Sequence, residues 1–195
     1  MRKLSEGAEA KVFETKMFEV DAVVKVRQAK AYRIGELDES LRRSRTRKEA
    51  RAMLRASEAG VRVPRLLGLG KFSIYMEKMS GKLMKDTLGK HLPYSYIGEM
   101  LAKMHAANVI HGDFTPANIM INGKEMYVID FGLAEISESV ENKAIDLLLM
   151  KRSIGRREYA DLQQAYTRDY TESKQVIARL AEIEKRGRYQ IRTLA

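Results

Sequence analysis

Residues 4–26 consist of short apolar runs broken by polar residues. Lys11-Val12-Phe13 and Phe18-Glu19-Val20 predict strands, and Ala22-Val23-Val24-Lys25-Val26 predicts a third, buried one. Ala50, Met53 and Leu54 then follow helical spacing within residues 46–59, and the segment containing Gly60 stops that helix. The basic run 42–48 either begins the helix or precedes it, leaving a basic face exposed. Residues 63–70 and 72–77 predict two more strands. About five strands and one helix thus fill the first 79 residues, and Ser80-Gly81 marks a boundary. Beyond it the pattern turns helical. Tyr96, Ile97, Met100, Leu101 and Met104 share one face of a helix over 94–107. Helices over 143–154, 156–170 and 172–185 close the chain, and the last nine or so residues, basic with one tyrosine, are expected to be flexible in isolation. Asn122-Gly123 lies between Ile119-Met120-Ile121 and Met126-Tyr127-Val128-Ile129, a hairpin signal with a loop of two or four residues.

Composition adds less than charge. An apolar fraction of 45% with 32% charged residues belongs to a globular protein, and 195 residues can bury a core. No apolar run approaches the roughly 20 residues of a membrane helix. The first residues lack a secretory core, and there is no cysteine, which excludes disulfides and thiolate metal sites. A cytoplasmic protein without membrane contact is expected. The net charge of +10 favours anionic partners such as nucleic acid, nucleotide or an acidic protein. It is concentrated at residues 42–48 and 185–192.

Candidate chemistry converges on the hairpin. Its folding back brings Asn118 and Asp130 toward each other, and an amide oxygen with a carboxylate offers hard oxygen ligands suited to Mg²⁺. Lys25 ends an apolar run. It either faces solvent on an alternating strand or needs an anionic partner, for which Glu49 is the candidate. The small-residue stretch 5–10 is either a phosphate-approaching loop or an ordinary hairpin turn. His105, after Met104, is read as a capping or packing residue.

His111-Gly112-Asp113-Phe114-Thr115-Pro116-Ala117-Asn118 resembles the catalytic loop of the protein-kinase superfamily, with glycine in place of arginine. Asp130-Phe131-Gly132 resembles its metal-binding triplet, and Val24-Lys25 its phosphate-binding lysine strand. The resemblance implies an α+β, bilobal protein-kinase-like fold with a minimal helical C-lobe and a truncated activation segment. The N-lobe would span 1–79 and the C-lobe 80–195. Lys25 would hold ATP phosphates and pair with Glu49. Asp113 would orient or deprotonate the attacking hydroxyl or water, and Asn118 and Asp130 would hold Mg²⁺. His111 would support the loop. Met76 would back the adenine, with backbone of Glu77 and Met79 meeting its edge. Glu6, Gly7 and Ala8, in a loop poor in glycine, would cover the phosphates.

Departures from that pattern narrow the resemblance. Gly112 replaces the arginine that reads a phosphorylated activation loop, and Thr115 stands where a lysine is usual. About 13 residues separate Gly132 from Asp146, whose helix resembles the one that anchors the catalytic loop, and no Ala-Pro-Glu triplet appears. Such a small domain, with Arg45-Thr46-Arg47-Lys48-Glu49-Ala50-Arg51 near its first helix, resembles the atypical serine/threonine kinase/ATPase subunit of the KEOPS complex. That family acts in making threonylcarbamoyladenosine in tRNA beside the threonylcarbamoyl transferase subunit and other KEOPS subunits. It is described as autophosphorylating alone and mainly an ATPase in the complex. The resemblance implies tRNA contact through basic surface and the C-terminal tail. Two other readings stand beside it: a Rio-type serine kinase of ribosome maturation, and a non-catalytic kinase-fold scaffold that binds tRNA or a partner. Rio proteins usually carry an extra N-terminal domain, and the intact Lys25, Asp113, Asn118 and Asp130 set argues against a scaffold.

Overall fold

The computed structural model describes residues 2–7, 9–87 and 92–192, the last six of these by backbone alone. Strands β1 (Lys3–Glu6), β2 (Ala10–Met17), β3 (Val20–Arg27), β4 (Leu66–Leu69) and β5 (Ser73–Glu77) form one antiparallel sheet in the order β1-β2-β3-β5-β4. Helix α1 (Gly35–Glu58) packs beside it.

Phe18-Glu19 is a correction to the expected strands. Met17 pairs with Val20, so Phe18 and Glu19 are the two turn residues, both at positive φ (50° and 61°). That is the geometry a two-residue hairpin needs to match the twist of its strands. Phe18 is exposed there.

Helix α1 starts at Gly35, eleven residues before the helix expected from 46. Its first half buries polar groups instead of apolar ones. Asp38 accepts from Arg42 at 2.6 Å, and the Thr46 hydroxyl returns to the Arg42 carbonyl at 2.8 Å. Leu54, expected on the apolar face, is exposed, whereas Ala50 and Met53 are buried. The helix ends in a Schellman turn: Gly60 at φ 78° donates to Ser57, and Val61 donates to Ala56.

Beyond Gly81, β6 (Lys82–Leu83) joins β8 (Ile119–Asn122) and β9 (Glu125–Val128) in a small sheet. Asn122 pairs with Glu125, so the hairpin loop has two residues, with Gly123 at φ 61°. Helix α2 (Tyr94–Ala106) buries Ile97, Met100, Leu101 and Met104 as its period predicts. It lies against α4 (Arg156–Asp169) so closely that a Cβ at Gly98 would come within 2.2 Å of the Leu162 carbonyl oxygen. Helix α3 (Val140–Ser153) is capped by Ser139, whose hydroxyl accepts from Asn142 N–H at 3.2 Å. Buried Lys143 on α3 donates to Asn108 Oδ1 at 3.0 Å and Tyr170 Oη at 2.8 Å, which joins α3 to the end of α4. Helix α5 (Ser173–Arg192) runs seven residues past the expected end at 185.

Candidate active site

Side chains two apart on a strand share a face, so β3 turns Lys25 and Arg27 to the same side. Glu49 of α1, buried at 2% exposure, meets both. Lys25 Nζ lies 2.6 Å from one carboxylate oxygen, and Arg27 Nη2 lies 2.6 Å from the other. Lys25 also donates to Asp130 Oδ1 at 2.7 Å. One ammonium therefore ties the five-stranded sheet to α1 and to the segment after β9. Burial by itself would lower the Lys25 pKa, but the charges of Glu49 and Asp130 outweigh it and hold the group above the ordinary lysine value. Asp130 moves the other way. Burial opposes its charge, yet the Lys25 ammonium and its hydrogen bond keep the carboxyl below its usual range. Its side chain is 56% exposed, so solvent screens part of this attraction.

Asp130 holds a left-handed backbone, φ 59°, which non-glycine residues adopt rarely and mainly where surrounding structure enforces it. Gly132 N–H closes back on Asp130 Oδ1 at 3.2 Å. A Cβ at Gly132 would stand 3.0 Å from that oxygen and 3.1 Å from Lys25 Nζ, so a side chain there would crowd the ion pair. Phe131 is fully buried against the His111 ring.

The loop after β7 (Val109–Ile110) is fixed from beneath. Buried Asp146 of α3 accepts from the backbone N–H of His111 at 2.7 Å and of Gly112 at 2.9 Å. His105 touches the same carboxylate at 3.3 Å and Tyr166 Oη at 2.8 Å, so it is a packing residue behind the loop. Burial lowers its pKa despite Asp146. The His111 ring lies 3.1 Å from the Ile129 carbonyl through Nε2, and accepts from the Asp113 amide at 3.3 Å through Nδ1. Gly112 sits at φ 79°, where a Cβ would approach the Leu133 carbonyl oxygen to 2.6 Å. No larger residue fits without moving that backbone, which accounts for the missing arginine.

Asn118, at the end of the 3₁₀ turn Pro116–Asn118, donates from Nδ2 to Asp113 Oδ2 and to the Asp113 carbonyl, both at 2.8 Å. The β8–β9 ladder carries the Asn118 carbonyl to Ile129 N–H at 2.9 Å, beside Asp130. With the amide nitrogen committed, the Asn118 amide oxygen is left without a partner among the described residues. That oxygen and the Asp130 carboxylate are hard donors. Among the described residues no group of three or more His, Cys, Asp or Glu side chains could cage a metal. A two-donor site suits Mg²⁺, which keeps waters and completes its shell with substrate phosphates.

Of the remaining candidates, Met76 and Glu77 end β5, and Glu77 N–H is spent on the Arg65 carbonyl. The Met79 amide has no partner among the described residues. Gly7 N–H bonds the Ala10 carbonyl at 2.9 Å in a tight turn between β1 and β2. The Glu6 carboxylate is held by Lys3 and Lys11, so only its backbone is left to meet an anion. Ala8 lies outside the described residues. Arg27 is the site residue that periodicity did not single out. The signal was its position two residues after Lys25. It also reaches Glu9 at 3.4 Å, and Glu9 is bound in turn by Arg45, whose hydrogen bond keeps its carboxyl acidic.

A model of the RIO domain matches residues 7–154. Along nearly full length, the chain is 33% identical to the KEOPS complex subunit Bud32 of Pyrococcus abyssi, covering 99% of this chain and 98% of that one. It is 39% identical to the probable serine/threonine-protein kinase BUD32 homolog of Archaeoglobus fulgidus, covering 94% of each. The chain belongs to the Bud32 group of RIO-domain proteins. This RIO-domain chain is also 36% identical, over 95% of its length, to the probable bifunctional tRNA threonylcarbamoyladenosine biosynthesis protein of Methanobrevibacter smithii. It spans 36% of the length of that relative. Among solved structures, the Rio2 kinase–ADP/Mg²⁺–phosphoaspartate complex of Chaetomium thermophilum superposes with TM-score 0.64 at 16% identity, covering 97% of this chain and 72% of that one. At that identity the likeness concerns the fold: a sheet-bearing N-terminal part and a helical C-terminal part, α+β in class.

Proposed function

We propose that the chain is an Mg-ATP-dependent atypical serine/threonine kinase and ATPase. It would serve as a KEOPS subunit in threonylcarbamoyladenosine modification of tRNA, beside the threonylcarbamoyl transferase subunit, in the cytoplasm. The observation that carries the chemistry is the double ion pair of Lys25. It presents an ammonium between Glu49 and Asp130, while Asn118 fixes the Asp113 carboxylate. The named relatives carry the biological setting.

Phosphoryl transfer asks for positioning and charge neutralisation more than for covalent help. Lys25 holds the α- and β-phosphates, while Arg27 keeps Glu49 in place to hold Lys25. Met76 backs the adenine, and the backbone of Glu77 and Met79 meets its edge. The loop of Glu6, Gly7 and Ala8 covers the phosphates. Asp113 orients a hydroxyl or water toward the γ-phosphorus and accepts its proton, as the bond to the ADP leaving oxygen breaks. Asn118 and Asp130 hold Mg²⁺, which supplies charge neutralisation on the phosphates when bound. The acceptor is a protein serine or water. Residues 1–79 act as the N-lobe and 80–195 as the C-lobe.

Reconstitution tests this reading. Added with Mg-ATP to its transferase subunit and the other KEOPS subunits, the chain should restore threonylcarbamoyladenosine formation on unmodified tRNA. Full modification without it would contradict the reading, and copurification with pre-ribosomal particles instead would favour the Rio-type alternative.

A further inference from the structure

Helix α1 is charged in an unusual way. Between residues 40 and 57 every exposed charge on it is positive: Arg43, Arg47, Lys48, Arg51 and Arg55. The acids of that stretch do not offset them. Glu49 is buried and spent on Lys25 and Arg27. The half-buried arginines of the same helix are committed elsewhere, Arg42 to Asp38 and Arg45 to Glu9. Arg43 lies near Glu39, which is held by Lys71 at 2.6 Å. Arg47, Lys48, Arg51 and Arg55 have no hydrogen bond or ion pair among the described residues.

Arg43, Arg47, Arg51 and Arg55 recur every four residues. They form one slanted row with a rise of ~6 Å per step, about 18 Å in all. Lys48 stands beside the row, and a shallow groove runs along it, lined by Arg43, Arg47, Lys48 and Arg51 and, at its N-terminal end, by Glu36 and Glu39. Like charges four apart on a helix repel and weaken it. A solvated face needs no such row, since alternating acids would give equal solubility without that cost. A ladder of unpaired guanidinium groups fits a regularly spaced polyanion. Guanidinium forks match phosphate oxygens, and each phosphate neutralised releases a condensed counterion. An acidic protein surface fits less well, because carboxylates are rarely set at regular steps in a line.

We propose that this arginine row docks the phosphate backbone of RNA and is a tRNA contact of the chain. The proposal rests on the tRNA reading above and assigns it a surface on the helix that also carries Glu49.

The test is binding of an unmodified tRNA transcript to the full chain over a series of salt concentrations. The R43A/R47A/R51A/R55A variant should bind at least tenfold more weakly at a fixed moderate salt. Its slope of log affinity against log salt should be shallower by roughly 3 to 4, a little under one for each of the four contacts removed. The matching R43K/R47K/R51K/R55K variant should keep most of the slope, because charge does most of the work. ATP hydrolysis should be unchanged in both, since none of the four touches the cleft. Wild-type affinity and slope in the alanine variant would overturn the row while leaving the tRNA reading intact. Equal loss in the lysine variant would support the row as well, with the guanidinium forks and not charge alone reading the phosphates. A wild-type chain that fails to bind the transcript even at low salt, with or without its transferase subunit, would sink the tRNA reading and the row together.

Discussion

Lys25 is charged between two carboxylates, and the signs of the two shifts define a pH window. The carboxyl of Asp130 is lowered in the folded chain. Its contribution to stability is therefore present above the ordinary carboxylate value of about 4 and is lost as pH falls through the folded value. Lys25 is raised, so its contribution is present below about 10.4 and is lost as pH rises through the folded value. Thermal melting of Asp130→Asn should accordingly vary less than wild type between pH 5 and pH 3; identical acid limbs would contradict the link. Gly112 makes the second residue-level prediction. At φ 79°, with a backbone oxygen 2.6 Å from where Cβ would be, Gly112→Ala should lose about 1–3 kcal/mol in urea unfolding. ATP turnover should fall with it, because Asp113 is the next residue. Wild-type stability and turnover would show that the loop has room to give.

Elements were legible where their stabilising contacts are apolar and local. Ile97, Met100, Leu101 and Met104 announce α2 by spacing alone, and Asn122-Gly123 announces the β8–β9 hairpin. The first half of α1 was not legible, because what holds it is Asp38, Arg42 and Thr46, polar groups satisfied by one another. The Phe18-Glu19 turn was hidden by an aromatic residue in a position usually given to Gly or Asn. At the site, Lys25, Asp113, Asn118 and Asp130 stood out by order and spacing. Arg27 and the seat of Gly112 under Leu133 depend on contacts distant in sequence. Gly98 belongs with these. A methyl group there would meet the Leu162 carbonyl at 2.2 Å, so Gly98→Ala must push α2 and α4 apart despite its better helix propensity. Overpacking of this kind costs roughly 1–3 kcal/mol. A Tm equal to or above wild type would show that the two helices are not tightly seated.

Across the whole molecule, the short path from Gly132 to α3 decides what kind of enzyme the fold can be. Seven residues lie between Gly132 and Val140. They include β10 (Glu135–Ile136), which pairs with β7. The α3 helix then supplies Asp146 to the catalytic loop directly. Among the described residues, nothing between them forms a peptide-docking platform. On the function proposed above, such a chain would keep Lys25, Asp113, Asn118 and Asp130 on a rigid frame and leave useful output to the partner that meets it. The most direct test is steady-state Mg-ATP hydrolysis by wild type, Asp113→Asn and Asp130→Asn, each alone and with the transferase subunit. Both variants should lose roughly 10²-fold or more in turnover while keeping their fold. Unchanged hydrolysis in both settings would contradict the assignment of this cleft as the catalytic centre.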